Sequence, residues 1–205
     1  MASNFEFYSP TRVIFGKGTE QRVGALVREY SGTRVRSGVL DRAEKSLAEA
    51  GISSWTLGGV VPNPHLDKVY EGIRIGKENS IDFLLAVGGG SVIDTCKAIA
   101  HGAANPGTDI WEFWSKKQTV KRSLPVGVVL TLAAAGSETS DSAVLTNEET
   151  KIKRGLSTDF NRPAFAIMNP ELTYTLPKYQ VGCGIVDIMM HTLDRYFTQT
   201  ENNEL

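Results

Sequence analysis

Cysteine is scarce in this sequence, which contains two among 205 residues, and the two are far apart. A small domain held together by disulfides needs a much higher cysteine content. Both Cys96 and Cys183 fall within apolar helical patterns, so we interpret them as buried, reduced thiols of a cytoplasmic protein. The fold therefore has to come from an ordinary apolar core, for which the 41% of hydrophobic residues suffice.

The sequence also lacks a strong charge of either sign, a long apolar run and a basic N-terminal leader. The formal net charge is −1 and the pI is near 6.3, which argues against nucleic acid or an anionic membrane as a partner. No stretch reaches the roughly 20 apolar residues of a membrane helix. Residues 1–10 contain no lysine or arginine, so a secretory signal is not expected. These absences predict no nucleic-acid partner, no membrane partner and a cytoplasmic location.

Strand-type and helix-type segments alternate along most of the chain. Continuous apolar runs bounded by glycine or proline are typical of buried parallel strands, and they occur at 81–87, 126–132 and 164–168. Apolar residues at helical spacing lie before and between these runs, at 19–30, 39–50, 66–79 and 91–103. This alternation predicts an α/β fold with a parallel sheet.

The pattern changes near Pro177, where a helical stretch begins that runs to about Phe197 with no strand after it. We therefore divide the chain into an α/β domain, residues 1–177, and the beginning of a truncated all-helical domain, residues 178–205.

Three consecutive glycines follow the first of the buried strands. Gly88, Gly89, Gly90 and Ser91 join the apolar run to the next predicted helix. Glycines let backbone amides approach a phosphate closely, and a helix N-terminus favours its negative charge. The spacing is not that of a G-x-G-x-x-G fingerprint, because Ile93 occupies the last glycine position, nor that of a P-loop. Taken alone, the segment is either a phosphate-binding loop or a tight strand-to-helix turn.

Asp187 and His191 are four residues apart in the last predicted helix, so their side chains project from one face. A carboxylate and an imidazole in this arrangement can bind a divalent metal together. By itself, however, such a pair is more often a solvated or locally hydrogen-bonded pair than a metal site.

The motifs gain meaning from their order along the chain, which resembles that of the iron-containing (group III) alcohol dehydrogenases, and most nearly of their butanol-dehydrogenase and aldehyde-reductase-like branch. The residues that carry the resemblance are the glycine-proline segment 58–64, the loop Gly88–Asp94 with Lys97, the segment 130–132, Gly136-Ser137-Glu138, the segment 169–173 and the segment Asp187–His191. The resemblance implies an oxidoreductase that interconverts primary alcohols and aldehydes with NAD(P)(H) and a divalent metal, iron or zinc. It also implies a small-molecule alcohol or aldehyde as partner and assembly into a homo-oligomer.

The resemblance assigns roles to individual residues. It makes residues 1–177 a dinucleotide-binding domain in which the glycine loop binds the coenzyme diphosphate and Asp94 organises that loop. The nicotinamide ribose and phosphates would lie against Thr131 and Leu132, with Lys153 near the ribose and Leu176 in apolar contact. The implied coenzyme-binding residues are thus Gly88, Gly89, Gly90, Ser91, Asp94, Thr131, Leu132, Lys153 and Leu176. Asp187 and His191 correspond to two of the four metal ligands of the family.

The other two family ligands are histidines further along the chain, and neither His65 nor His101 matches them. Both are interpreted as ordinary surface or helix-end histidines. Two protein ligands leave a divalent ion mostly hydrated, so we expect the 205 residues alone to have little or no activity. The alternative is a non-catalytic fragment that binds nucleotide or a partner subunit. Glycerol-dehydrogenase-like or dehydroquinate-synthase-like chemistry is a weaker option within the superfamily.

One segment near the N-terminus departs from the family pattern. Family members have an apolar strand and a first glycine-rich turn where this sequence passes directly from Val35 to Arg36. Either the protein lacks this strand and the turn, which approaches the adenosine ribose and helps to select NAD or NADP, or residues are missing from the sequence at this point. Loss of a central strand would uncover apolar area worth on the order of several kcal/mol, comparable with the whole stability of a domain, so we favour the second alternative.

Overall fold

The computed structural model describes residues 8–30, 34–37 and 41–197, and for 34–37 it describes the backbone alone. Its centre is a parallel sheet of six strands: β1 (Arg12–Phe15), β2 (Arg34–Ser37), β3 (Ser53–Thr56), β4 (Phe83–Gly88), β5 (Val126–Leu130) and β8 (Phe165–Met168). The strand order across the sheet is β1-β8-β5-β4-β2-β3. The predicted α/β fold with a parallel sheet is confirmed.

The helices lie on both faces of this sheet, as the alternation of elements requires. Their bounds are α1 (Val23–Glu29), α2 (Asp41–Glu49), α3 (Leu66–Glu78), α4 (Gly90–Ala104), α5 (Ile110–Trp114) and α6 (Lys178–Phe197). One core forms between α1, α2 and the sheet. A second core forms on the opposite face, where α3, α4 and α5 cover β4 and β5. None of the described helices combines the length and the apolar character needed to cross a membrane.

A strand is present at the position in question. β2 pairs in parallel with β3 on one side and with β4 on the other, so the alternative in which the sheet lacks a central strand is wrong. It is only four residues long, and two of them are arginines, which hides it from a search for apolar runs. The adjacent turn at 38–40 lies outside the described residues.

An antiparallel hairpin, β6 (Ser142–Asn147) and β7 (Ile152–Ser157), was not predicted. Its first strand alternates buried and half-buried residues, with Ala143 and Leu145 directed into the second core. The hairpin packs against α4, which brings its residues close to the glycine loop at the start of that helix.

Two sequence interpretations need correction. Cys96 and Cys183 do not form a disulfide; Cys96 is partly buried as expected, whereas Cys183 is exposed on α6. His101 is not a surface histidine, because its side chain is fully buried in the last turn of α4. His65 does lie at a helix end: it precedes α3, is half-buried, and its Nδ1 lies 2.9 Å from Glu148 Oε1.

Candidate coenzyme crevice and metal-binding helix

The glycine loop lies where the direction of the sheet connections reverses. From β4 the chain passes through α4 to β5 on one side, whereas from β2 it passes through α2 to β3 on the other side. In open parallel sheets, such a switch point leaves a crevice at the carboxyl ends of the two strands, and ligands bind there. Gly88 ends β4 and Gly90 begins α4, so the loop forms one wall of this crevice.

The start of α4 leaves its amide groups accessible. The residue preceding the helix is Gly89, and no side chain caps the N-terminus. The first amides of a helix have no acceptor within the helix, and they attract anions. Ser91 lies inside the first turn rather than at the cap, so its hydroxyl does not serve the helix end. A Cβ on Gly90 would meet no atom within 4 Å, which shows open space where a phosphate would have to approach.

The neighbouring strand brings Thr131 and Leu132 to the same crevice. They follow β5, and the Thr131 amide donates to Gly88 O at 3.1 Å. Leu132 packs on the glycine loop, since a Cβ on Gly89 would lie 3.3 Å from Leu132 Cβ. The structure therefore brings these two predicted residues together with the glycine loop.

Asp94 organises the neighbouring loop and the hairpin rather than the glycine loop itself. Its Oδ1 accepts from Ser137 Oγ at 2.5 Å, and its Oδ2 accepts from the Val144 amide at 2.9 Å. Burial raises the pKa of the Asp94 carboxyl, against the opposing effects of these two hydrogen bonds and of the positive charges of Lys97 and Lys153. Through these two hydrogen bonds, Asp94 fixes both the segment that follows β5 and the strand β6 to α4.

Lys97, one turn further along α4, completes this support and was not among the predicted site residues. Its fully buried Nζ donates to the carbonyl oxygens of Ser137, Ser140 and Ser142 at 2.8, 3.0 and 2.8 Å, and lies 3.2 Å from Ser137 Oγ. Burial lowers the pKa of Lys97 to about 8, partly offset by the negative charge of Asp94. The amine therefore stays protonated near neutral pH, and its three N–H groups hydrogen-bond the segment Ser137–Ser142 to α4.

The two remaining predicted coenzyme residues have hydrogen-bond partners in other segments. Lys153 is exposed on β7, donates to Asn63 Oδ1 at 2.8 Å, and is close enough to Asp94 to affect the pKa of that carboxyl. Leu176 is half-buried just before α6, and its amide donates to Thr173 O. Within the described part of the chain, no hydrogen bond joins Leu176 to the glycine loop.

Asp187 and His191 lie on α6 as predicted, one turn apart, with Asp187 Oδ1 at 3.7 Å from His191 Nε2. Both side chains are about half exposed, 45% and 51%, so a metal could reach both. His191 also lines a cavity of about 620 Å³ between α6 and the loop Ala134–Asp141. Among residues 8–30, 34–37 and 41–197, no three His, Cys, Asp or Glu side chains cluster as a metal site. The donor set is therefore one carboxylate and one imidazole, a pair that suits iron or zinc.

Helix α6 contacts the α/β domain through little of its surface. Gly184 is its one buried residue in the described range. Many of its large apolar side chains are exposed: Tyr179, Val181, Ile185, Val186, Ile188, Met189, Met190, Leu193, Tyr196 and Phe197. Exposure of this many large apolar side chains on one helix is typical of a surface that another element or molecule covers.

Comparison with known proteins agrees with this architecture. The sequence model of the family "Iron-containing alcohol dehydrogenase" matches residues 10–170. The chain is 44% identical to the probable NADH-dependent butanol dehydrogenase 2 of Bacillus subtilis, over 98% of this chain and 54% of that protein. It is 36% identical to the NADPH-dependent aldehyde reductase YqhD of Escherichia coli, over 96% of this chain and 53% of that protein.

The solved structure of the NADH-dependent butanol dehydrogenase A of Thermotoga maritima superimposes with a TM-score of 0.93 at 36% identity, covering 98% of this chain and 52% of that one. The chain spans about half the length of the curated relatives it matches and corresponds to their N-terminal part. On this evidence the chain belongs to the iron-containing alcohol dehydrogenase family.

Proposed function

We propose that this protein is an NAD(P)(H)-dependent oxidoreductase that interconverts primary alcohols and aldehydes with the help of a divalent metal, iron or zinc. The observation that carries the proposal is the uncapped glycine loop at the switch point of the sheet, with a carboxylate-imidazole pair on the helix that packs beside the adjoining loop. The related butanol dehydrogenases and aldehyde reductase use NADH or NADPH according to their names. The proposal treats residues 1–177 as the dinucleotide-binding domain and 178–205 as the start of a helical domain.

The chemistry of the glycine loop would suit a dinucleotide coenzyme. The diphosphate would accept from the amides of Gly89, Gly90 and Ser91, and the open space beside Gly90 would admit it. Thr131 and Leu132 follow the adjacent strand, so they would lie against the nicotinamide half. The exposed cation Lys153 would face a ribose or phosphate from the hairpin.

Asp187 and His191 would hold a metal beside the nicotinamide, at the place where the reacting alcohol binds. A divalent metal bound there would lower the pKa of the alcohol hydroxyl and orient it for hydride transfer. Asp187 supplies negative charge and His191 a neutral nitrogen donor from the same face of α6. Since the described residues supply only these two donors, a complete site needs further ligands. For the 205 residues alone, we expect coenzyme binding with little or no turnover.

The relatives' names indicate small alcohols and aldehydes as substrates, and we extend this substrate class to the present protein. A cytoplasmic location and assembly into a homo-oligomer belong to the same proposal. The exposed apolar side chains of α6 support the view that this helix is covered in the functional protein, by further helices of its own domain or by another subunit.

The test combines coenzyme binding with turnover. Binding is measured by titrating NADH and NADPH into the 205-residue chain. Turnover is measured as the reduction of butanal by NADH, with the protein isolated in the form that the cell makes and supplied with Fe²⁺ or Zn²⁺. Asp187→Asn should abolish turnover without weakening NADH binding. The control Asp67→Asn changes an exposed aspartate of α3 and should retain the wild-type rate. Full activity of Asp187→Asn would refute the proposed metal site.

A second function is favoured by one observation, the restriction of the described donor set to two ligands. The protein would then bind a dinucleotide without catalysing hydride transfer. In that case NADH would bind, but no metal would produce turnover.

A further inference from the structure

Gly184 is the one buried residue of α6 in the described range, and it lies against the α/β domain. A Cβ on this glycine would lie 2.6 Å from the carbonyl oxygen of Ala133 and 3.8 Å from its carbonyl carbon. The obstacle is a backbone atom, which cannot rotate aside as the end of a flexible side chain can. The helix therefore reaches its observed position because this residue has no side chain.

The segment that Gly184 contacts is itself packed against the glycine loop. Leu132, next to Ala133, lies at a distance of 3.3 Å from the position of a Cβ on Gly89. Leu132 therefore lies against Gly89 of the proposed diphosphate loop, and Ala133 lies against Gly184 of α6. A movement of α6 relative to this segment would change the spacing between the helix and the coenzyme crevice.

Gly184 also shares a face of α6 with the proposed metal ligands. Asp187 follows it by three residues and His191 by seven, which places the three residues along one side of the helix over two turns. We propose that Gly184 is a positioning residue. Its lack of a side chain sets the distance between the proposed metal ligands, Asp187 and His191, and the nicotinamide end of the coenzyme crevice. This inference rests on the proposed function.

An alanine at position 184 would have to displace either α6 or the Ala133 segment. An ordinary contact between carbon and oxygen is about 3.3 Å, so the 2.6 Å separation requires a shift of roughly 0.7 Å. Hydride transfer depends steeply on the alignment of donor and acceptor, and a misplacement of about 1 Å can cost about 100-fold in rate. We therefore expect Gly184→Ala to lower kcat by about 10- to 100-fold.

The chain offers a matched control in Gly182, which lies on the same helix two residues earlier. A Cβ at that position meets nothing within 4 Å. Gly182→Ala and Gly184→Ala therefore make the same chemical change in the same helix, and only the second creates the contact with Ala133. Any general effect of alanine on helix formation is common to both.

The experiment measures four properties of the wild type and both variants. The melting temperature tests folding, NADH fluorescence titration tests coenzyme affinity, and hydrogen exchange of residues 131–136 reports the contacted segment. The fourth is kcat and KM for butanol and its deuterated form, measured on the metal-loaded protein as the cell produces it. Gly184→Ala should keep NADH affinity within about threefold, a smaller loss than one broken hydrogen bond would cause, because the amides of the glycine loop are unchanged. It should increase exchange at 131–136, lower kcat more than it changes KM, and increase the deuterium isotope effect.

Equal exchange and equal isotope effects in the two alanine variants would overturn the positioning role while leaving the dehydrogenase assignment intact. If Gly184→Ala lowers only the melting temperature, its role is structural and the inference is also wrong. If the wild type neither binds NADH nor oxidises butanol, the proposed function itself fails, and the positioning role fails with it.

Discussion

Acid should destabilise this protein through one buried histidine. His101 is fully buried, with its Nε2 at 2.8 Å from Asn161 Oδ1 and its Nδ1 at 2.9 Å from Ser123 Oγ. The amide nitrogen of Asn161 donates to the carbonyl oxygens of Asp141 and Leu156, so its Oδ1 is the acceptor and Nε2 carries the proton. The neutral imidazole is satisfied in this network, and burial lowers the pKa of His101 to about 4.

The direction of the pH effect follows from this shift. Below the ordinary pKa of 6.5, the unfolded chain gains a proton on His101, whereas the folded protein stays neutral until the pH nears 4. The stability conferred by the neutral imidazole is therefore fully present above pH 6.5 and is lost as the pH falls toward 4. Over the whole window the loss is about 3 kcal/mol, and by pH 5 it is about 2 kcal/mol.

Urea denaturation at pH 7.5 and pH 5 measures this loss. His101→Gln should be less stable than the wild type at pH 7.5, because the buried network is disturbed. Its disadvantage should shrink by about 2 kcal/mol at pH 5, since the variant has no imidazole to protonate. His65→Gln removes a half-exposed histidine as a control and should retain the wild-type loss of stability in acid. An unchanged difference between wild type and His101→Gln at the two pH values would refute the reasoning.

Two further predictions concern stability and use the same denaturation assay. Gly72→Ala should lower the free energy of unfolding by about 2 kcal/mol by overpacking the contact between α3 and α4, because the added Cβ would meet the Ile99 side chain. The double variant with Ile99→Ala should lose less stability than the sum of the two single variants. Additive losses would contradict this explanation. Arg42→Met should cost about 2 kcal/mol because it leaves the fully buried carboxylate of Glu20 without its cation, whereas Arg12→Met, which removes an exposed ion pair, should cost about 0.5 kcal/mol. Equal effects of the two arginine substitutions would show that burial does not set the difference.

Much of the fold could be predicted from the sequence because its central strands are apolar along their whole length. β4 and β5 are buried at every residue, so they read as unbroken apolar runs. β2 could not be predicted in this way, because its sequence Arg-Val-Arg-Ser is largely polar and its place is fixed by the strands on either side. The hairpin was missed for a different reason: its turn, Glu148 to Lys151, contains no glycine or proline.

The candidate site divides along similar lines. The glycine loop and the pair on α6 are local motifs, which can be recognised in the sequence before their surroundings are known; the loop joins β4 to α4, and the pair is one turn apart. Lys97 and Gly184 contact residues 40 or more positions away, and the sequence does not show such contacts. For Gly184, the spacing of three residues before Asp187 was available as a signal, but only the structure shows the Ala133 carbonyl that gives it meaning.

The most direct test of the coenzyme crevice fills it with a side chain. Gly90 is suited to this because a Cβ there meets nothing within 4 Å, so Gly90→Leu should fold normally. Gly155→Leu makes the same change at another open position, on β7, and serves as the control. In NADH titrations we expect Gly90→Leu to lose at least about tenfold in affinity, equivalent to about 1.4 kcal/mol, while Gly155→Leu and the wild type bind alike. Wild-type affinity in a well-folded Gly90→Leu would show that the coenzyme does not bind at the glycine loop.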